Sequence, residues 1–237
     1  MTVPRGSSPP RKVLGPRMAA QIVLSVMVLV LASASAQATS ILTNGDFELA
    51  SPGNSPPTGN YTTLGTGDTS MLGWKVTTGS VDWICTYWQP EHGTHSLDLS
   101  GNGAGSIAAS TAMNTTPGLW YEVTFWMSGN PDNTRGVKTL EVLTDSGATG
   151  TYTYNTAAVN QGGNGNTLTN MKWQEMFWSF QATSTTTTIT FESLTGTAYG
   201  PALDNVSVEV IPEPVTMAGV FLGIGGLAGY LRKRRAA

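Results

Sequence analysis

Cysteine is nearly missing: Cys85 is the only one in 237 residues. A disulfide framework and a multi-cysteine zinc site are therefore excluded. Charge is also scarce, at 11% of residues against about 25% in ordinary soluble domains. Basic residues are scarcest away from the ends. Between residues 39 and 211 only Lys75, Arg135, Lys138 and Lys172 are basic, against fourteen acidic residues, a net −10. A body with that excess repels phosphate backbones, whose binding depends on Lys and Arg, so nucleic acid is excluded as a partner. Only two histidines occur, and there is no G-x-S-x-G, H-E-x-x-H, P-loop or dinucleotide fingerprint. Nor does any stretch carry a sustained helical stripe.

The long apolar runs lie at the two ends. Residues 1–17 are basic and proline-rich, residues 18–31 (MAAQIVLSVMVLVL) are uncharged, and ASASAQA follows. A charged start, a short apolar run and an A-x-A site describe a secretory signal peptide over residues 1–38, cut by signal peptidase after Ala38 or Ala36. At the other end, residues 215–231 are uncharged and precede Arg232, Lys233, Arg234 and Arg235. As a helix that stretch is roughly 25 Å long, enough for a thin bilayer core. The basic tail then stays on the cytoplasmic side. Pro212, Glu213 and Pro214, then the apolar stretch, then the basic cluster, resemble the PEP-CTERM sorting signal of exopolysaccharide-producing Gram-negative bacteria. The resemblance implies recognition by an exosortase, with Glu213 as a recognition residue of the substrate. A permanent single-pass anchor is the other reading of residues 212–237. Both readings place the middle of the chain outside the cytoplasmic membrane.

Residues 39–211 are ample for one hydrophobic core. Period-2 segments rich in Val, Thr, Phe, Tyr and Trp alternate with Gly, Asn, Pro and Ser clusters. In Leu119–Met127, Leu119, Tyr121, Val123, Phe125 and Met127 share one face, and Trp120, Glu122, Thr124 and Trp126 the other. Further strands are predicted at 72–77, 80–84, 95–99, 105–109, 137–144, 171–181, 186–193 and 203–210, with loops at 50–60, 129–136 and 160–167. Nine or ten such strands predict an all-β fold, a two-sheet antiparallel jelly-roll β-sandwich.

The segments ILTNGDFE, GWKVTTGSVDWI, YWQPEHGTHSLDLSG, TTPGLWYEVTFWMSGNPD and PALDNVSVEV occur in that order. This set resembles the choice-of-anchor C family. It is also similar to a plant cell-wall family of unknown-function domains with a galactose-binding-domain-like fold. Cys85 departs from the pattern, where a small residue such as glycine commonly follows SVD-aromatic-Ile. The resemblance implies a sandwich akin to carbohydrate-binding modules and names no ligand.

Three sites are candidates. Modules of this fold often hold a structural calcium ion where the first and last strands meet, which points to Asp46, Glu48 and Asp204, with carboxylates as hard oxygen ligands. The other reading makes these residues local caps of turns and strand ends. A carbohydrate site is expected at Asp82, Trp83, Tyr87 and Trp88, with Asn130 and Arg135 from a neighbouring loop, because aromatic faces cover sugar rings while polar groups bind hydroxyls. The other reading places these aromatics in the core. Catalysis would draw on His92 and His95 with Glu91 and Asp98; the other reading of the histidines is a solvated turn. Cys85 reads as a small buried residue or an interchain disulfide partner. The function expected is non-catalytic association with extracellular polysaccharide. A purely structural envelope component and a surface glycan hydrolase are the alternatives.

Overall fold

In the computed structural model the chain divides into Met1–Ala38 and Thr39–Ala237. The structure describes residues 39–132, 135–157 and 165–212. The expected signal peptide, Glu213, Pro214, the helix over 215–231 and the basic tail lie outside the described residues.

The described residues form an all-β sandwich with no helix. Its strands are β1 (Tyr61–Gly65), β2 (Trp74–Thr78), β3 (Ser80–Ile84), β4 (Ser96–Asp98), β5 (Ser106–Ala109), β6 (Met113–Asn114), β7 (Trp120–Gly129), β8 (Val137–Thr144), β9 (Thr149–Asn155), β10 (Gln174–Gln181), β11 (Thr186–Thr187), β12 (Ile189–Ser193) and β13 (Pro201–Val210). One sheet runs β1-β3-β4-β13-β7-β10 and the other β2-β5-β12-β8-β9, with β6 and β11 as a small extra pair. All pairings are antiparallel. The jelly-roll prediction therefore holds.

The alternation in β7 puts Tyr121, Val123, Phe125 and Met127 inside, at 4% exposure or less. They meet Ile107, Leu140, Val142 and Phe191 of the facing sheet in one core. Phe125 meets Phe191 edge-on at 5.4 Å and Tyr152 at 5.1 Å, the geometry favoured by ring quadrupoles. Three strands escaped the sequence pattern, the two-residue β6 and the longer β1 and β9. β1 buries only Leu64, and β9 buries only Tyr154. Both are sheet edges, where burial leaves little hydrophobic signal.

The segment before β1 is not the strand the sequence suggested. It is an irregular run whose backbone pairings include Ile41 N–H to the Val208 carbonyl, Val206 N–H to the Gly45 carbonyl and a bridge between Ala50 and Met71. Asn44 (φ 54°) and Phe47 (φ 58°) turn it through the left-handed region. Two buried indoles hold that turn: Trp74 Nε1 donates to the Asn44 carbonyl and Trp83 Nε1 to the Phe47 carbonyl, each at 2.9 Å.

Candidate functional site: the outer face of the six-stranded sheet

Side chains facing away from the core on β3, β4, β13, β7 and β10 form the outer face of the larger sheet, and two loops roof one half of it. Ile84, Trp88, Met171 and Ala202 make a second, smaller core under that roof. Trp88 Nε1 donates to Ser96 Oγ at 2.8 Å, and Trp173 Nε1 bridges the two loops by donating to the Gln89 carbonyl at 3.0 Å.

This roof absorbs much of the carbohydrate site read from the sequence. Trp83 is 1% exposed in the main core and Trp88 3% exposed in the second. Neither ring can stack on a ligand, because packing beneath the sheet and beneath the loop consumes both faces. Asn130 is buried as well, its Nδ2 donating to Asp98 Oδ2 at 2.9 Å. Tyr87 is half-buried, donates its hydroxyl to Asp132 Oδ2 and meets the exposed Tyr61 edge-on at 5.4 Å. Burial, then the bond to Asp132 and that group's charge, push the Tyr87 phenol well above its ordinary range. Asp82 is half-buried and accepts from Thr63 Oγ1, with burial raising its carboxyl. Arg135 is exposed and donates to the Thr156 carbonyl at 3.2 Å. The six residues do not converge on one surface.

The expected calcium ligands are already engaged. Glu48 Oε1 accepts from the Thr94 and His95 N–H groups at 2.6 and 2.7 Å. Its Oε2 accepts from the Thr94 hydroxyl at 2.7 Å and lies 2.9 Å from His95 Nδ1. Asp204 Oδ2 accepts from the Glu91 and His92 N–H groups at 2.8 and 3.1 Å, and its Oδ1 from the Asn205 N–H at 2.7 Å. Hydrogens stand where a cation would have to sit. Asp46 joins neither set, and among the described residues no three His, Cys, Asp or Glu side chains gather as metal ligands. The residues do not fit a calcium ion. Instead, the two carboxylates tie the 91–95 loop to the start and end of the domain by hydrogen bonds.

Nor do the residues named for catalysis meet at one point. His95 is buried, with its Nδ1 on Glu48 and its Nε2 on the Pro57 carbonyl at 3.1 Å, whereas His92 is exposed. Glu91 accepts from Asn205 Nδ2 at 3.0 Å. Asp98 is sealed at 0% exposure. Cys85 is a free, half-buried thiol.

Burial pushes the carboxyl of Asp98 up to about 7 and that of Asp204 up to about 8, against the opposing pull of their N–H donors. A carboxyl that binds its proton more tightly when folded stabilises fully below its unfolded value of about 3.9. That contribution is lost as pH rises through the folded values. Glu48 works the other way: burial raises it, but the bonds from His95 and Thr94 outweigh burial and lower it, so its contribution fades in acid. The melting temperature is expected to fall between about pH 5 and pH 9. Asp204→Asn is expected to flatten that fall. Equal slopes in the two proteins would count against the assignment.

The other half of the outer face is open. Register places Trp126 and Glu175 side by side in one row, which continues under the roof to the buried Asp204, then Ser207, Thr124 and Phe177 in the next, Glu209, Glu122 and Ser179 in a third, and Trp120 with Gln181 in a fourth. Six residues of β7 separate the outer rows, roughly 20 Å at about 3.4 Å per residue. Trp120 is 47% exposed and Phe177 54%, while Trp126 is half-buried. The alternation in 119–127 had placed Trp120 and Trp126 on the non-core face. The sequence reading missed the platform; the alternation of Glu175, Phe177, Ser179 and Gln181 in β10 was the available signal, and only the register with β7 joins the two sets.

Residues 40–209 match the model of a family described as "Protein of unknown function (DUF642)". The chain belongs to this family. Halomucin of Haloquadratum walsbyi (strain DSM 16790 / HBSQ001) is 32% identical over 212 residues, which cover 89% of this chain. They cover 2% of halomucin, so this DUF642 chain corresponds to a small part of that relative. Among solved structures, TmCBM61 in complex with β-1,4-galactotriose is similar at 15% identity and a TM-score of 0.41, covering 73% of this chain and 99% of that one. CBM35 from Paenibacillus barcinonensis is similar at 18% identity and a TM-score of 0.38, covering 62% and 97%.

Proposed function

We propose that this DUF642 chain is an exported, non-catalytic surface protein that associates with extracellular polysaccharide through the open platform on β7 and β10. The observation that carries the reading is the exposure of Trp120 and Phe177, with Trp126 in the row next to Phe177, on a sheet face studded with Ser, Thr, Gln and Glu side chains. Large rings left in water on a monomer surface mark an interaction site. Rings interleaved with hydrogen-bonding groups match the apolar faces and hydroxyl edges of sugars. Export rests on the signal-peptide pattern of residues 1–38. Sorting by an exosortase, with a choice-of-anchor C body, rests on the resemblances of residues 211–235 and 40–210.

Binding to a panel of neutral and charged polysaccharides by affinity electrophoresis tests this. Trp120→Ala and Phe177→Ala are each expected to weaken retention about tenfold, the loss of roughly 1.4 kcal/mol typical of an interface anchor. Because both rings are exposed, stability should change by no more than about 0.5 kcal/mol. Retention unaffected by both substitutions would remove the platform from the proposal.

A further inference from the structure

The platform carries three carboxylates as well as three rings, and its charge selects among polysaccharides. Glu122 and Glu175 are exposed and Glu209 is half-buried. Glu122 and Glu209 are direct cross-strand partners. Like charges in that position destabilise a sheet. A Ser207 hydroxyl donated to Glu209 Oε1 at 3.1 Å tempers the repulsion without neutralising it. Glu175 sits directly across from Trp126, and Trp126 from Asp204. None of the side chains in the four rows is Lys or Arg.

We propose that the ligand of this platform is a polysaccharide bearing protonated amino groups, an amino-sugar polymer with free amines. This inference rests on the polysaccharide reading above and adds the chemical class. Three properties of the face select it. An ammonium placed between Glu122 and Glu209 relieves their mutual repulsion and forms charge-assisted hydrogen bonds. The negative faces of Trp120, Trp126 and Phe177 attract cations as well as C–H groups. A uronate or sulfated chain meets carboxylates and no cationic side chain in these rows, on a body of net charge −10.

The test compares a glucosamine oligomer, its N-acetylated counterpart and a polyuronate of similar length. Binding to the full chain in mild detergent is measured by calorimetry at about pH 6, between the ordinary carboxylate and amine ranges. The glucosamine oligomer is expected to bind about tenfold more tightly than the acetylated one, and the polyuronate not at all. Glu122→Gln and Glu175→Gln should each reduce that preference about two- to fivefold, the usual scale for exposed ion pairs. Raising salt should likewise weaken only the amine-bearing ligand. Equal binding of the two oligomers, or tighter binding of the polyuronate, overturns the amine preference and leaves the polysaccharide reading standing. If wild type binds none of the three, nor any neutral polysaccharide of the panel, both fail.

Discussion

Asp98→Ala is expected to lower stability by about 3–5 kcal/mol, the scale of leaving several buried donors without their acceptor, seen as loss of the cooperative thermal transition or a large drop in its midpoint. Asp98 is wholly buried and accepts from Asn130 Nδ2 at 2.9 Å, from the Ser100 N–H at 2.9 Å and from the Gly200 N–H at 3.1 Å. Each buried donor left without an acceptor costs about 1–3 kcal/mol. Lys138, 2% exposed, lies within electrostatic reach and donates to the Tyr199 carbonyl at 2.6 Å. Burial lowers its ammonium, and Asp98 pulls it back up. Lys138→Met should therefore be less damaging in the Asp98→Ala background than alone, with a coupling of about 0.5–3 kcal/mol in a double-mutant cycle. Strict additivity would show that the two groups do not share one network.

Gly45→Ala is expected to cost at least about 4 kcal/mol, the range reserved for severe core clashes. A Cβ on Gly45 would stand 1.8 Å from the Val206 carbonyl oxygen, a backbone atom that has no rotamer to escape into. The approach is that close because Val206 N–H donates to the Gly45 carbonyl at 2.8 Å, where β13 loses register between Asp204 and Ser207 and Asn205 takes φ 47°. Gly103 is the control: a Cβ there meets nothing within 4 Å. Gly103→Ala should stay within about 0.5 kcal/mol of wild type. Denaturant titration of the two variants separates a steric effect from a general intolerance of glycine replacement.

How far the fold was legible depended on how each strand is buried. β7, β8, β12 and β13 each present one face to the core, so their alternation stands out in the chain. The alternation stops where both faces are covered, over the last three residues of β7 and the first four of β13. β1 and β9 lie at sheet edges and bury one side chain each, so little in their composition separates them from loops. The predicted strand 186–193 is two elements, β11 and β12, because Thr188 leaves one sheet pair for the other. The aromatic cluster 83–88 shows the limit for sites. Three large rings in six residues are equally a binding strip and a pair of cores, and the spacing is the same for both. Only the register of β3 with β4 and the fold-back of the 85–95 loop decide that Trp83 enters the main core and Trp88 is roofed over while Tyr87 keeps its edge in water.

Composition and periodicity alone determined an acidic, sheet-built body with no internal disulfide and no stripe of basic residues for a nucleic acid. These are sums and repeats along one dimension, and they need no partner to be evaluated. Which carboxylates face N–H donors, and which rings remain in water, was decided by tertiary structure. Glu48 meets Thr94 and His95, and Phe177 comes to lie beside Thr124 between two tryptophans, only when segments 46 to 53 residues apart are brought together by burying the faces opposite to them.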